Sequence, residues 1–115
     1  MNQSKVLKHL DLTEDVFELI IEKPKGFKFA AGQFITIKVE DQLPPCFRAY
    51  SVASAPEKDT IDLCIKTIPG GRGSNWLNTL KEGESLSFMG PNGKFNFKES
   101  DKKVLFIATG TGIAP

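Results

Sequence analysis

Apolar and polar residues alternate with a period of two along much of the chain. Phe17, Leu19 and Ile21 alternate with Val16, Glu18, Ile20 and Glu22, and Ile35, Ile37 and Val39 alternate with Thr36 and Lys38. Ile61, Leu63 and Ile65 alternate with Asp62, Cys64 and Lys66, and Leu86 and Phe88 with Ser85 and Ser87. Each stretch directs one apolar face inward, the pattern of a half-buried antiparallel strand. Breakers stand between them: Pro24-Lys25-Gly26, Ala31-Gly32, Leu43-Pro44-Pro45, Pro69-Gly70-Gly71 and Gly90-Pro91-Asn92-Gly93. Short strands at this spacing, with no long helix between them, predict an all-β antiparallel barrel or sandwich. The nine phenylalanines are expected to supply much of its core.

Two segments depart from this rhythm. Ser74 to Leu80 places Leu77 and Leu80 three apart behind a glycine-rich turn, which predicts one short helix with Ser74 as its N-cap. Near the other end, Asp101-Lys102-Lys103 reads as a polar linker and Val104-Leu105-Phe106-Ile107-Ala108 as a continuous apolar run. Such a run predicts a strand buried on both faces, as in a parallel sheet. Thr109 to Pro115 then reads as the glycine-rich turn from that strand into a helix. The expected organisation is one domain over 1–100, followed at 101–115 by the first strand and turn of a second, truncated domain.

Length and charge narrow the function. The 115 residues, 12.7 kDa, suffice for one domain with its own core. Apolar residues at 40% and charged residues at 25% exclude a disordered chain. Fifteen basic against fourteen acidic side chains give a net charge of +1, which offers no electrostatic footprint for nucleic acid or an anionic membrane. No apolar run is long enough to span a bilayer, and the first twenty residues hold no apolar signal core. A start at Met1 carries the expectation that no iron–sulfur or globin module precedes the domain. Two cysteines, Cys46 and Cys64, fit a reducing cytoplasm better than a disulfide framework. With His9 the sole histidine, no metal site is expected.

Three stretches could carry chemistry. In Arg48-Ala49-Tyr50-Ser51, alternation puts Arg48 and Tyr50 on one face of a strand. An arginine offers a planar fork for phosphate and a tyrosine a flat face for an aromatic ring, although a plain cross-strand pair is the commoner meaning of four such residues. Gly70-Gly71-Arg72-Gly73-Ser74-Asn75 lets backbone approach a ligand and presents a helix N-terminus to an anion, although many glycine turns bind nothing. Cys64-Ile65-Lys66 alone is a strand ending in a charge, and Trp76 and His9 are ordinary core and surface residues. Together, the order of an Arg/Tyr strand, a Lys strand and a glycine turn opening a helix suits a ligand with phosphates and a ring. A flavin nucleotide has that shape.

Five motifs in order resemble the flavin-binding domain of the ferredoxin–NADP(+) reductase superfamily, over about Lys5 to Pro115. Arg48-Ala49-Tyr50-Ser51 matches that family's Arg-x-(Tyr/Phe)-(Ser/Thr), and Cys64-Ile65-Lys66 its Cys-Val-Lys-like strand. Gly71-Arg72-Gly73-Ser74-Asn75-Trp76-Leu77 matches its phosphate turn. Gly90-Pro91 with Gly93 and Phe95 matches its hairpin, and Gly110-Thr111-Gly112-Ile113-Ala114-Pro115 the opening of its pyridine-nucleotide domain. The resemblance implies a six-stranded antiparallel Greek-key barrel closed at one end by the short helix.

It further implies that Arg48 pairs with the FAD pyrophosphate, Tyr50 stacks on the isoalloxazine and Ser51 lies near N5, which accepts hydride; Tyr50 and Ser51 are the residues expected to alter rate. The Cys64, Ile65 and Lys66 backbone, beside Ala49, would line the ribityl and phosphate path. Gly71, Gly73, Ser74 and Asn75 would hold the pyrophosphate, and Gly110, Thr111 and Gly112 would begin an NAD(P) site. Gly70 to Ser74 also resembles the arginine–glycine loops of FMN-using members, whereas Asn75-Trp76-Leu77 favours FAD. The family's nicotinamide-binding residues and aromatic lid have no counterpart here. The expected activity is an NAD(P)H-dependent flavin oxidoreductase passing electrons to an acceptor protein or metal centre, with the 115 residues alone inactive toward NAD(P)H. Two other readings stay open: a flavin-binding module without activity of its own, and an empty barrel acting as an electron-transfer subunit through protein contact.

Overall fold

The structure, a computed structural model, describes residues 1–115. Six strands form: β1 (Asn2–Asp11), β2 (Val16–Glu22), β3 (Phe34–Val39), β4 (Cys46–Ser51), β5 (Thr60–Lys66) and β6 (Ser85–Asn92), with one helix, α1 (Arg72–Thr79), between β5 and β6. They make a single sheet in the order β4-β3-β6-β1-β2-β5, with every pairing antiparallel. Only β1–β2 and β3–β4 are neighbours both in sequence and in space. The other connections cross to non-adjacent strands, as Greek-key winding requires. All eleven apolar residues at the alternating positions of β2, β3, β5 and β6 are at most 1% exposed.

The sheet curls into a half-barrel. Its edge strands β4 and β5 share no ladder, so closure falls to the segment that follows β4. There the Ala53 N–H donates to the Asp62 carbonyl at 2.8 Å, and the Ser54 hydroxyl accepts from the Asp62 N–H at 3.0 Å. The buried Asp62 carboxylate accepts from the Thr60 hydroxyl at 2.7 Å and pairs with Lys58 at 2.8 Å, which leaves no orphan charge at the seam. One end of the barrel is thereby stitched, and the rest of the gap stays open.

Four local expectations are corrected. The core is mainly aliphatic: of the phenylalanines only Phe17, Phe27, Phe29 and Phe88 are buried, while Phe47, Phe95, Phe97 and Phe106 are exposed. Phe27 and Phe29 enter from the β2–β3 connection, with Phe27 edge-on to Phe88 at 5.5 Å. The helix begins three residues earlier than a Ser74 cap implies, with Gly71 at the N-cap position. Ser74 lies in the first helical turn, buried, where its Oγ accepts the Ile68 N–H at 3.1 Å and fixes the turn before the helix. Leu77 and Leu80 face the core as their spacing predicts. His9 is no ordinary surface residue: its Nδ1 lies 2.8 Å from the Leu80 carbonyl, tying β1 to the helix C-terminus, and its ring stacks on Phe17.

The last correction concerns the expected strand Val104–Ala108. It forms no strand, and Leu105, Phe106 and Ile107 are 77–84% exposed. A strand buried on both faces needs neighbours on either side, and no strand of the sheet pairs with this run. Gly110–Ile113 is a single 3-10 turn. No helix is long and apolar enough to cross a membrane.

Candidate functional site

β4 carries the most informative side chains. It pairs only with β3, with Arg48 opposite Ile37 and Tyr50 opposite Ile35. Cross-strand partners share a face. Arg48 and Tyr50 therefore stand at core-facing positions, beside the gap the sheet leaves open. Tyr50 packs against the core cluster, whereas Arg48 stays exposed.

The first turn of α1 comes back onto this pair. A Cβ placed on Gly73 would lie 2.6 Å from Tyr50 Oη and 2.8 Å from Arg48 Cγ, so only glycine lets the helix approach this closely. A guanidinium and a phenol on β4 thus meet a helix N-terminus that lies 22 to 25 residues further along the chain. The Arg48 guanidinium has one protein acceptor, the adjacent Phe47 carbonyl at 2.8 Å, and remains an uncompensated cation. Burial pushes the Tyr50 phenol above its usual pKa of 10.0, against the opposing pull of Arg48, so it is neutral at physiological pH.

The turn before α1 is tightly held. The Asn75 side-chain amide donates to the Ile68 carbonyl at 2.8 Å and to the Gly71 carbonyl at 2.6 Å, while Ser74 takes the Ile68 amide. Asn75 thus shapes the cradle from behind, and the Ser74 hydroxyl keeps its own proton to donate. Ser51 is half-buried and Ala49 exposed at the same strand edge. Cys64 and Lys66 project from the outer face of β5, and Ile65 points into the core. The Lys66 ammonium is paired with Asp15 at 3.6 Å. What β5 can offer a ligand is the backbone of an edge strand.

Sequence reasoning missed one residue here. Arg72, the first residue of α1, makes a fork with Asp41: Nε is 3.1 Å from each carboxylate oxygen and Nη2 is 2.7 Å from Oδ1. Nη2 also donates to the Pro44 carbonyl at 3.0 Å and the Gln42 carbonyl at 3.3 Å. This binds the β3–β4 loop to the helix start. Arg72 holds the Asp41 carboxyl below its usual range, and Asp41 raises Arg72 in turn. Partners 31 residues apart in an alternating sequence leave no local signal.

Gly110, Thr111 and Gly112 lie in the 3-10 turn. Gly112 and Ile113 border an apolar groove of about 570 Å³, walled by Gly32, Phe95, Phe97 and Phe106. No three His, Cys, Asp or Glu side chains gather in a metal-holding group.

The arrangement at β4 and α1 can hold an anion and a flat ring together. In comparison with known proteins, the oxidoreductase FAD-binding domain family matches residues 3–97. The chain is 40% identical over 116 aligned positions to a glycine betaine monooxygenase reductase subunit of Pseudomonas aeruginosa, an alignment covering 96% of this chain and 32% of that protein. Among solved structures, a ferredoxin reductase in carbazole 1,9a-dioxygenase superposes with a TM-score of 0.76 at 34% identity, over 86% of this chain and 30% of that one. A ferredoxin NADP+ reductase from Neisseria gonorrhoeae with bound FAD and NADP superposes with a TM-score of 0.69 at 26% identity, over 77% and 38%. The chain spans about a third of the length of the curated relative it matches.

Proposed function

The chain belongs to the oxidoreductase FAD-binding domain family, and on that premise we propose that it holds FAD, rather than FMN, across β4 and the first turn of α1. The observation that carries this is the contact of Gly73 with both Arg48 and Tyr50. It brings the helix N-terminus directly against a free guanidinium, which suits a phosphate ester. Arg48 supplies the charge. The Gly71 and Gly73 backbone allows close approach, and the Ser74 hydroxyl donates. Tyr50 presents a neutral ring face, with Ser51 beside it on the strand and Ala49 adding no bulk. The backbone of Cys64, Ile65 and Lys66 borders the same gap. FAD when bound supplies the redox chemistry, taking two electrons from a nicotinamide and releasing them to an acceptor.

The whole protein is then an NAD(P)H-dependent reductase of the ferredoxin reductase type. Its acceptor is a ferredoxin or an oxygenase component, as the names of its relatives suggest, and its compartment the cytoplasm. Residues 1–100 act as the flavin domain. Residues 101–115 open the nucleotide domain, with Gly110, Thr111 and Gly112 at the start of its NAD(P) site. For the 115 residues by themselves, a flavin-holding module without NAD(P)H turnover is the favoured reading, because 101–115 form only a 3-10 turn.

Titration of the chain with FAD, followed through flavin fluorescence and the sole tryptophan, Trp76, tests the site. Saturable one-to-one binding is expected, and Arg48→Ala is expected to weaken it about tenfold or more, the worth of a charge-assisted hydrogen bond. An Arg48→Ala chain that binds FAD as well as the wild type contradicts the site.

A further inference from the structure

We propose that Asp41 decides which flavin nucleotide the cradle accepts, by pairing with Arg72 and so withholding that guanidinium from the ligand's phosphate. The inference rests on the flavin reading above and goes beyond it to selectivity between phosphate types.

The two arginines at the site are in opposite states. Arg72 leaves the chain one residue before Gly73, at the turn that touches Arg48 and Tyr50. Its Nε and Nη2 are nonetheless engaged by both Asp41 oxygens and by the carbonyls of Gln42 and Pro44. Both partners are about three-quarters covered, with side chains 27% and 24% exposed. Arg48 faces the same place with one backbone acceptor. The cradle therefore offers one free cation and a helix N-terminus, with a second cation present but neutralised.

That balance distinguishes two ligand chemistries. The pyrophosphate of FAD spreads its charge over two phosphorus centres, one negative charge on each. The terminal monoester of FMN concentrates about −1.5 to −2 on a single phosphorus near neutral pH. One guanidinium with the roughly half charge of a helix end matches a singly charged phosphate. A concentrated dianion needs a second free cation, which Asp41 withholds by pairing with Arg72. Loss of that carboxylate frees the Arg72 charge for the ligand.

The test is the ratio of FMN to FAD dissociation constants, with phosphate-free riboflavin as a control, for wild type, Asp41→Asn and the double variant Asp41→Asn/Arg72→Gln. Asp41→Asn keeps the shape and removes the charge. It is expected to shift the ratio about tenfold toward FMN with riboflavin unmoved, and the double variant to return the ratio to the wild-type value. If Asp41→Asn weakens FAD and FMN by the same factor, Asp41 is only a strut for the loop and the inference falls. It also falls if the gain toward FMN survives in the double variant, since Arg72 is then not its source. A wild-type chain that binds no flavin overturns the flavin reading itself, whereas a wild type that binds FAD while the ratio stays fixed overturns only the role of Asp41.

Discussion

β4 and β5 are the two edges of one sheet, six and seven residues long, and they use their core-facing positions in opposite ways. In β5 those positions are Ile61, Leu63 and Ile65, all at most 1% exposed. In β4 they are Cys46, Arg48 and Tyr50, and no residue of that strand is buried. A strand that places charge and a phenol where its sheet-mate places isoleucine forgoes burial, and the gain must lie elsewhere. Here it is a gap between the edges, lined by polar groups and approached by a helix N-terminus. β5 holds the fold together, and on the proposed function β4 makes room for the flavin.

Substitutions should separate the two strands cleanly. Leu63→Ala in β5 is expected to destabilise the chain by about 2–5 kcal/mol, because it opens a cavity against Leu19 in a core that cannot fully collapse. Thermal or urea unfolding measures it, and a loss under about 0.5 kcal/mol would dissolve the contrast. Arg48→Ala in β4 is expected to change stability by no more than about 0.5 kcal/mol, the range for an exposed side chain, while weakening FAD as described above.

A smaller effect concerns Tyr50, whose titration can be followed alone because it is the sole tyrosine. Burial favours the neutral phenol, so its folded pKa lies above the unfolded value of 10.0. The associated stability is fully present below pH 10 and is lost as pH rises through the folded value. Phenolate absorbance should show a midpoint above 10 in the folded chain, a higher one in Arg48→Ala where the opposing cation is gone, and a return to about 10 in denaturant. Equal midpoints in folded and unfolded chains would mean that Tyr50 does not pack on the core.

How much of this the sequence disclosed follows from the range of each signal. The strands β2, β3, β5 and β6 were legible because their inward residues alternate without interruption. β1 was not, since only Ser4 and Val6 of its ten residues are buried and its register with β2 shifts between Val6 and Lys8. The Arg48/Tyr50 strand and the glycine turn could be read as motifs, but that both face the same place depends on sheet curl, which period-two patterning does not encode. The start of α1 was misplaced because Ser74 and Gly71 are both acceptable caps in sequence, and only the buried Ile68 amide assigns Ser74 its inner role. Val104–Ala108 read as a buried strand because an apolar run signals burial only when something is there to cover it.

The central claim is that the β4 edge and the first turn of α1 form one flavin site, and amide shift mapping by NMR during FAD titration tests it most directly. The account predicts that the largest perturbations fall on residues 48–51 and 71–75, with the opposite end of the helix around His9 and Leu80 unmoved. Perturbations centred on the apolar groove at Phe95, Phe97 and Phe106, with 48–51 silent, would contradict it.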